Sequence, residues 1–136
     1  MRREVIGDEL LVKDLGDADF RARYQCDKFT ATVLANRFRY IVKHMSSGLL
    51  TRAFSVILRD WYDFASTISG PPEYDYPMPA VSDSLALFLG PMTDAVRNMV
   101  EEYGADNLGP GDVLICNDPD RIGTHGNDVC FVRPVF

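Results

Sequence analysis

The fold is decided by GDVLICNDPDRIGTHGNDVCFVRPVF, residues 111–136, in which two apolar segments flank a long polar loop. The first apolar segment, VLIC at 113–116, stops at the polar run NDPD. The second, DVCFVRPVF at 128–136, is rich in β-branched and aromatic side chains. Short apolar runs bounded by Asn, Asp, Gly and Pro are typical of strands and turns. The stretch therefore predicts a strand, a polar loop and a second strand.

A helix is predicted directly upstream, over LGPMTDAVRNMVEEYG at 89–104. Gly90 and Pro91 suit its first turn, and Gly104 suits its end. Apolar residues recur at helical spacing along it and predict its buried face. These residues are Met92, Val96, Met99, Val100 and Tyr103.

Residues 27–46 predict the other main helix, which Asp27 can cap. Its apolar stripe consists of Phe29, Val33, Leu34, Phe38, Ile41, Val42 and Met45. The segment SSGLL is expected to break or bend this helix at Gly48, with a second helical piece over 49–56. Residues 60–69, DWYDFASTIS, alternate as a strand does, and the proline-rich segment at 70–83 predicts a stiff loop.

The fold class that follows is α+β, with two main helices packed on a small sheet. Residues 1–26 are dense in charge of both signs and show no clear period. We interpret them as an N-terminal arm, either extended or a short helix, that precedes a segment over 27–136. The length of 136 residues allows one domain with one modest core.

Charge and hydropathy exclude several classes of partner. The formal net charge is -6, which argues against nucleic acid because phosphate binding needs a basic face. No apolar run approaches the roughly 20 residues that span a bilayer, and no signal-peptide stretch is present. The sequence therefore predicts a cytoplasmic protein. Its three cysteines, Cys26, Cys116 and Cys130, are expected to be free thiols. Cys116 and Cys130 are expected to pack as small hydrophobes, with zinc ligation the weaker alternative.

The polar loop holds the candidate site. It contains Asn117, Asp118, Asp120, Arg121, Thr124, His125, Asn127 and Asp128. His125 and Asp128 have H-x-x-D spacing, and an imidazole with a carboxylate can ligate manganese, zinc or iron. One or two further ligands must come from elsewhere in this chain or from another. The alternative is structural, since Asp and Asn in NDP and GND are good turn residues.

Other catalytic motifs are absent from the sequence. It has no G-x-x-x-x-G-K-[ST] loop to hold nucleotide phosphates and no G-x-S-x-G elbow. It also lacks the Met-Lys-Met context of a biotinylated lysine.

GPGDVLICNDPDRIGTHGNDVCFVRPVF resembles a signature of the hydantoinase B/oxoprolinase family, close to GDV-x-x-x-NDP-x-x-GG-THLPD and followed by a strand that ends PVF. The matching residues are Gly111, Asp112, Val113, Asn117, Asp118, Pro119, Gly123, Thr124, His125, Asp128, Pro134, Val135 and Phe136. TRAFSVILRDWYDFAS and LFLGPM are similar to two upstream family segments. The resemblance covers nearly all of residues 27–136.

Two positions depart from the family pattern. Phe88 stands where relatives have the His of H-L-G-S-M, and Gly123 stands where some carboxylase relatives carry a second His. If the family binds metal through those histidines, this chain lacks ligands that its relatives have. One hypothesis is therefore a structural subunit whose site has decayed.

The resemblance implies a subunit of a larger enzyme. In this family the PVF pattern lies early in a polypeptide several times longer, so we expect this chain to be an N-terminal piece whose last strands are completed by a partner subunit. Small extra subunits are a feature of the acetophenone carboxylases, which need ATP but not biotin. The implied reaction joins a ketone and bicarbonate to give a 3-oxo acid.

Partners and site residues follow from that resemblance. ATP and magnesium would sit on a hydantoinase A-like partner, and other subunits would carry the remaining hydantoinase B-like sequence. His125, Asp128, Asn117 and Asp118 would lie at or near the reacting centre, with manganese or zinc on His125 and Asp128. The alternative within the family is an ATP-dependent hydantoinase or 5-oxoprolinase, which opens a cyclic amide.

Overall fold

A computed structural model of the protein describes residues 14–83 and 85–136. In chain order the helices and strands are α1 (Asp17–Tyr24), α2 (Lys28–Arg52), α3 (Val56–Trp61), β1 (Thr67–Ile68), β2 (Ala80–Val81), α4 (Leu89–Tyr103), β3 (Leu114–Cys116), α5 (Pro119–Ile122) and β4 (Cys130–Val132). Strand β1 pairs with β2 and strand β3 with β4, both antiparallel. The predicted α+β class is confirmed, and completion of the last strands by a partner stays a prediction.

The chain divides into two compact units, Met1–Arg37 and Phe38–Phe136. In the first unit, Phe20 of α1 is buried and its ring lies 4.7 Å from that of Tyr24. The predicted arm over 1–26 falls partly outside the described residues, which begin at residue 14. Its described part contains α1, in agreement with the short-helix alternative.

Helix α2 begins as predicted, because the Asp27 carboxylate accepts a hydrogen bond from the Thr30 amide at 2.7 Å. The predicted break at Gly48 is wrong, since α2 continues to Arg52. One glycine inside a helix costs only about 1 kcal/mol, which the flanking turns offset. The stripe is also less buried than predicted: only Val42 is fully buried, whereas the side chains of Phe29, Val33, Leu34, Ile41 and Met45 are exposed.

The strand predicted over 60–69 is largely wrong. Helix α3 occupies its start and ends at Tyr62, whose φ of 57° is left-handed, so only Thr67–Ile68 is a strand. The predicted strand depended on the alternation within DWYDFASTIS, and the period of so short a segment does not reliably identify a strand. The proline-rich segment also departs from a simple loop, because β2 pairs back on β1 in the register Thr67 to Val81.

Helix α4 and the β3–β4 hairpin form the core of the second unit. Val96, Met99 and Val100 of α4 are buried, as its pattern predicts, and Ala95 is buried as well. Met92 is only half-buried, and Tyr103 is exposed. The hairpin places the inner side chains Leu114, Cys116, Cys130 and Val132 against this core. Tyr76 of the proline-rich segment joins it beside Val96 and Val100, and burial raises the pKa of its phenol.

The strand–loop–strand prediction for 111–136 is confirmed, with the short helix α5 inside the loop. This arrangement fixes both ends of the candidate loop on the core. In the described residues, no helix is both long and apolar enough to cross a membrane.

Candidate functional site

The candidate loop, residues 117–129, leaves and rejoins the hairpin at a facing pair of cysteines. Cys116 and Cys130 are register partners in β3 and β4, and both are free and half-buried. Burial raises the pKa of the Cys130 thiol, and the neighbouring Cys116 raises it further. Both side chains pack against the core cluster of Ala95, Met99 and Ile122, as expected for small hydrophobes.

The first half of the loop is the helix α5, which Asp118 caps. The Asp118 carboxylate accepts a hydrogen bond from the Asp120 amide at 3.0 Å, and Pro119 occupies the first turn. The Arg121 side chain lies 3.8 Å from the other Asp118 oxygen. Asp118 is therefore a turn and helix-capping residue, as the structural alternative predicts. Its carboxylate interacts with the Asp120 amide and the Arg121 side chain of its own helix.

Helix α4 holds α5 in place through two polar residues that sequence reasoning missed. The Asn98 amide donates to the Arg121 carbonyl at 2.8 Å, and the Arg121 guanidinium donates to Glu102 at 3.0 Å. Ile122, beside them, is buried on α4. The i, i+4 spacing of Asn98 and Glu102 was the available signal, because it places both on one face beside the buried stripe.

Gly123, the position where some relatives carry a histidine, has a conformational reason to be glycine here. Its φ is +71°, and a Cβ there would lie 2.9 Å from the Pro91 Cβ of α4. A side chain would meet both a left-handed backbone and a steric clash. In this chain Gly123 is therefore a turn between α5 and the second half of the loop.

The second half of the loop is a turn that brings His125 and Asp128 together. The Asp128 amide donates to the His125 carbonyl at 2.9 Å, and the imidazole Nε2 lies 3.6 Å from Asp128 Oδ2. The His125 side chain is 74% exposed and that of Asp128 only 22%. The Asn117 amide donates to the Gly126 carbonyl at 3.3 Å and so ties this turn to the end of β3.

Two polar atoms in this turn are buried without a hydrogen bond from the described residues: Asp128 Oδ2 and Thr124 Oγ1. A buried carboxylate oxygen without a donor is costly, since each such group loses its hydration and gains nothing in return. The arrangement therefore leaves an acceptor available for a cation or a donor from another molecule.

The pair fits one divalent metal ion in distance and chemistry. Two ligand atoms that each lie about 2.1 Å from a tetrahedral metal are about 3.4 Å apart, close to the 3.6 Å observed between His125 and Asp128. Among residues 14–83 and 85–136, however, no group of three or more His, Cys, Asp or Glu residues is placed to hold a metal. Any metal bound here would therefore need ligands other than the His, Cys, Asp and Glu side chains of the described residues.

The four predicted site residues are divided by the structure. His125 and Asp128 come together, and Asn117 supports the same turn through its side chain. Asp118 does not join them in a metal-ligating group and instead caps α5. Their roles in binding or catalysis remain predictions.

Comparison with known proteins gives a match along most of the chain. The family model described as hydantoinase B/oxoprolinase matches residues 27–136. This range includes α2, α4, the hairpin and the whole candidate loop.

Individual relatives agree with the family match. An uncharacterized protein of Schizosaccharomyces pombe is 32% identical over 127 residues, 93% of this chain and 10% of the relative. 5-oxoprolinase 1 of Arabidopsis thaliana is 29% identical over 110 residues, 81% of this chain and 8% of the relative. 5-oxoprolinase PfmaA of Pestalotiopsis fici is 29% identical over 132 residues, 97% of this chain and 10% of the relative. The chain spans about a tenth of the length of these relatives, and no solved structure matches it.

Proposed function

Because this chain belongs to the hydantoinase B/oxoprolinase family, we propose that it is part of an enzyme that opens a cyclic amide ring with ATP as the energy source. The substrate class we favour is a 5-oxoproline-like lactam, with the hydantoins as the neighbouring class. The observation that carries the proposal is the similarity to two proteins named 5-oxoprolinase over 81% and 97% of this chain.

The reaction breaks the carbon–nitrogen bond of the ring amide. One water molecule supplies a hydroxyl to the carbonyl carbon and a proton to the nitrogen, and a second water molecule is consumed as ATP is converted to ADP and phosphate. His125 and Asp128 are the residues of this chain that would hold a divalent metal ion, manganese or zinc. Such an ion would act as a Lewis acid toward a carbonyl or phosphoryl oxygen.

The remaining residues of the loop position that pair. Asn117 fixes the turn by its bond to the Gly126 carbonyl, and Asp118 fixes α5, which α4 anchors through Asn98 and Glu102. The Asp128 oxygen is held out of bulk water with no described donor, so it is available to a metal ion without first losing a hydrogen bond.

The ATP site belongs, in this proposal, to a hydantoinase A-like partner. The sequence contains no G-x-x-x-x-G-K-[ST] phosphate loop, in keeping with a nucleotide site outside this segment. The assembled enzyme would also include the remainder of the hydantoinase B-like sequence, because this chain corresponds to about a tenth of its relatives.

The ketone carboxylase hypothesis stays a prediction that no observation now favours. It depended on the expectation that this chain is a separate small subunit, whereas two of the three relatives named above are named 5-oxoprolinase. Both reactions use ATP, so bicarbonate is the reagent that distinguishes them.

The test is a substrate comparison on the purified complex of this chain with its family partners. ATP hydrolysis and product formation are measured with 5-oxoproline, with a hydantoin and with acetophenone, each with and without bicarbonate. We expect ring opening of a cyclic amide coupled to ATP hydrolysis and unaffected by bicarbonate. Bicarbonate-dependent consumption of the ketone, with no ring opening, would overturn the proposal.

A further inference from the structure

The β3–β4 hairpin has two apolar faces, and the residues that the structure describes cover only one of them. Its inner face packs on α4. On the outer face, Ile115 and Phe131 are register partners and are 64% and 65% exposed. Val113 and Val129 lie two residues before Ile115 and Phe131, so they fall on the same face, and they are also exposed. An exposed apolar patch of neighbouring residues is typical of an interaction surface.

The hairpin also leaves backbone groups available at its edges. Within the part of the chain that the structure describes, its sheet has only the two strands β3 and β4. Each strand therefore has one edge without a β partner. A short apolar strand with an open edge favours pairing with another segment.

The two strands that carry this outer face lead directly into the candidate loop. Strand β3 leads directly into Asn117, and β4 begins two residues after Asp128. A layer placed on Ile115 and Phe131 would therefore border both ends of the candidate loop, which carries the His125–Asp128 turn. That turn holds a buried carboxylate oxygen without a donor, and no third His, Cys, Asp or Glu side chain among the described residues is placed to complete a metal site there.

We propose that the outer hairpin face, defined by Val113, Ile115, Val129 and Phe131, is the docking surface for the remaining part of a hydantoinase B/oxoprolinase-family polypeptide, which completes the site at His125 and Asp128. The relatives carry the matched segment within polypeptides about ten times as long, so family sequence is available to form the covering layer. This inference rests on the proposed function and specifies the surface from which the further groups of the His125–Asp128 site would be supplied.

The test compares two Phe-to-Glu variants in binding to that remaining polypeptide, without substrate or ATP. Phe131→Glu places a charge in the outer hairpin face, and Phe54→Glu makes the same change at a residue that is 99% exposed between α2 and α3. We expect Phe131→Glu to weaken binding at least about thirtyfold, as for a hot-spot residue, and Phe54→Glu to change it less than about threefold. Circular dichroism of each variant checks that the chain remains folded.

A photo-crosslinking residue at position 131 keeps the proposal testable if Phe131→Glu does not fold. We expect crosslinks from position 131 to the family polypeptide. Unchanged binding of a folded Phe131→Glu variant, equal weakening by both variants, or crosslinks only to a second copy of this chain would overturn the proposal. Because binding is the readout, failure here leaves the ring-opening assay unaffected, and a complex that binds without ring opening contradicts only the proposed function.

Discussion

At the scale of single residues, Asp128 is the described residue whose carboxylate is best placed to bind a ligand. Its oxygen Oδ2 lies 3.6 Å from the His125 imidazole, buried and without a hydrogen bond from any described residue. The neighbouring Asp118 shows the opposite behaviour, since its oxygens are engaged by the Asp120 amide and by Arg121. The two aspartates are similar turn residues in the sequence, but only the structure shows that Asp128 has a carboxylate oxygen free to accept a ligand and that Asp118 does not.

Gly123→Ala should destabilise the second unit by about 1–3 kcal/mol. The backbone there has φ +71°, and the new Cβ would lie 2.9 Å from the Pro91 Cβ. Chemical denaturation followed by circular dichroism measures the change in the free energy of unfolding.

Gly90→Ala is the matched control for that substitution. Gly90 lies in the first turn of α4, and a Cβ there meets no atom within 4 Å. We expect it to be neutral or stabilising by up to about 1 kcal/mol. Equal stability of the two variants would contradict the account of Gly123 as a conformational requirement.

Cys130 should react with iodoacetamide more slowly than an exposed thiol at pH 8. Burial and the neighbouring Cys116 raise its pKa above the ordinary thiol value, and the thiolate is the reacting form. The stability contributed by the protonated thiol is present below the unfolded pKa and is lost as pH rises through the folded pKa. Mass spectrometry of alkylated peptides across pH gives the midpoint, with urea-denatured chain as the control. A folded midpoint at or below the denatured one would contradict the raised pKa.

Among the elements, the start of α2, the helix α4 and the hairpin were predictable from sequence, and the region from the end of α2 to β2 was not. Apolar residues recur at helical spacing in α4, and the run VLIC before NDPD has the composition of a strand; the two elements pack on each other. The alternation over residues 60–69 predicted a strand, but the period of so short a segment did not decide its structure. The stripe of α2 is exposed in the part of the chain that the structure describes.

Gly48→Ala tests the continuity of α2 at the element scale. Helix α2 passes through Gly48, where a Cβ would meet only the Arg52 side chain at 4.0 Å. The substitution should therefore stabilise the chain by up to about 1 kcal/mol, because alanine loses less backbone entropy in a helix. Thermal unfolding measures this effect. A loss of stability would instead support the break that the sequence predicted at Gly48.

At the scale of the whole molecule, the sequence predicts the local part of the candidate site but not the contacts that depend on tertiary packing. The spacing of His125 and Asp128 predicted that they lie close together, because both belong to one four-residue turn. The anchors Asn98 and Glu102 come from a helix distant in sequence, so their contacts depended on the packing of α4 against the loop. No third His, Cys, Asp or Glu is placed beside His125 and Asp128 among the described residues, and the local sequence does not specify which other groups would complete a metal site.

The most direct test of the central claim compares the two histidine substitutions in the assembled enzyme. His125→Ala removes the imidazole of the candidate site, whereas His44→Ala removes the exposed imidazole on α2. The account predicts that His125→Ala lowers kcat for ATP-coupled ring opening at least about a hundredfold with assembly intact, and that His44→Ala stays within about twofold. Full turnover by His125→Ala in an intact complex would contradict it and would leave this loop a structural role only.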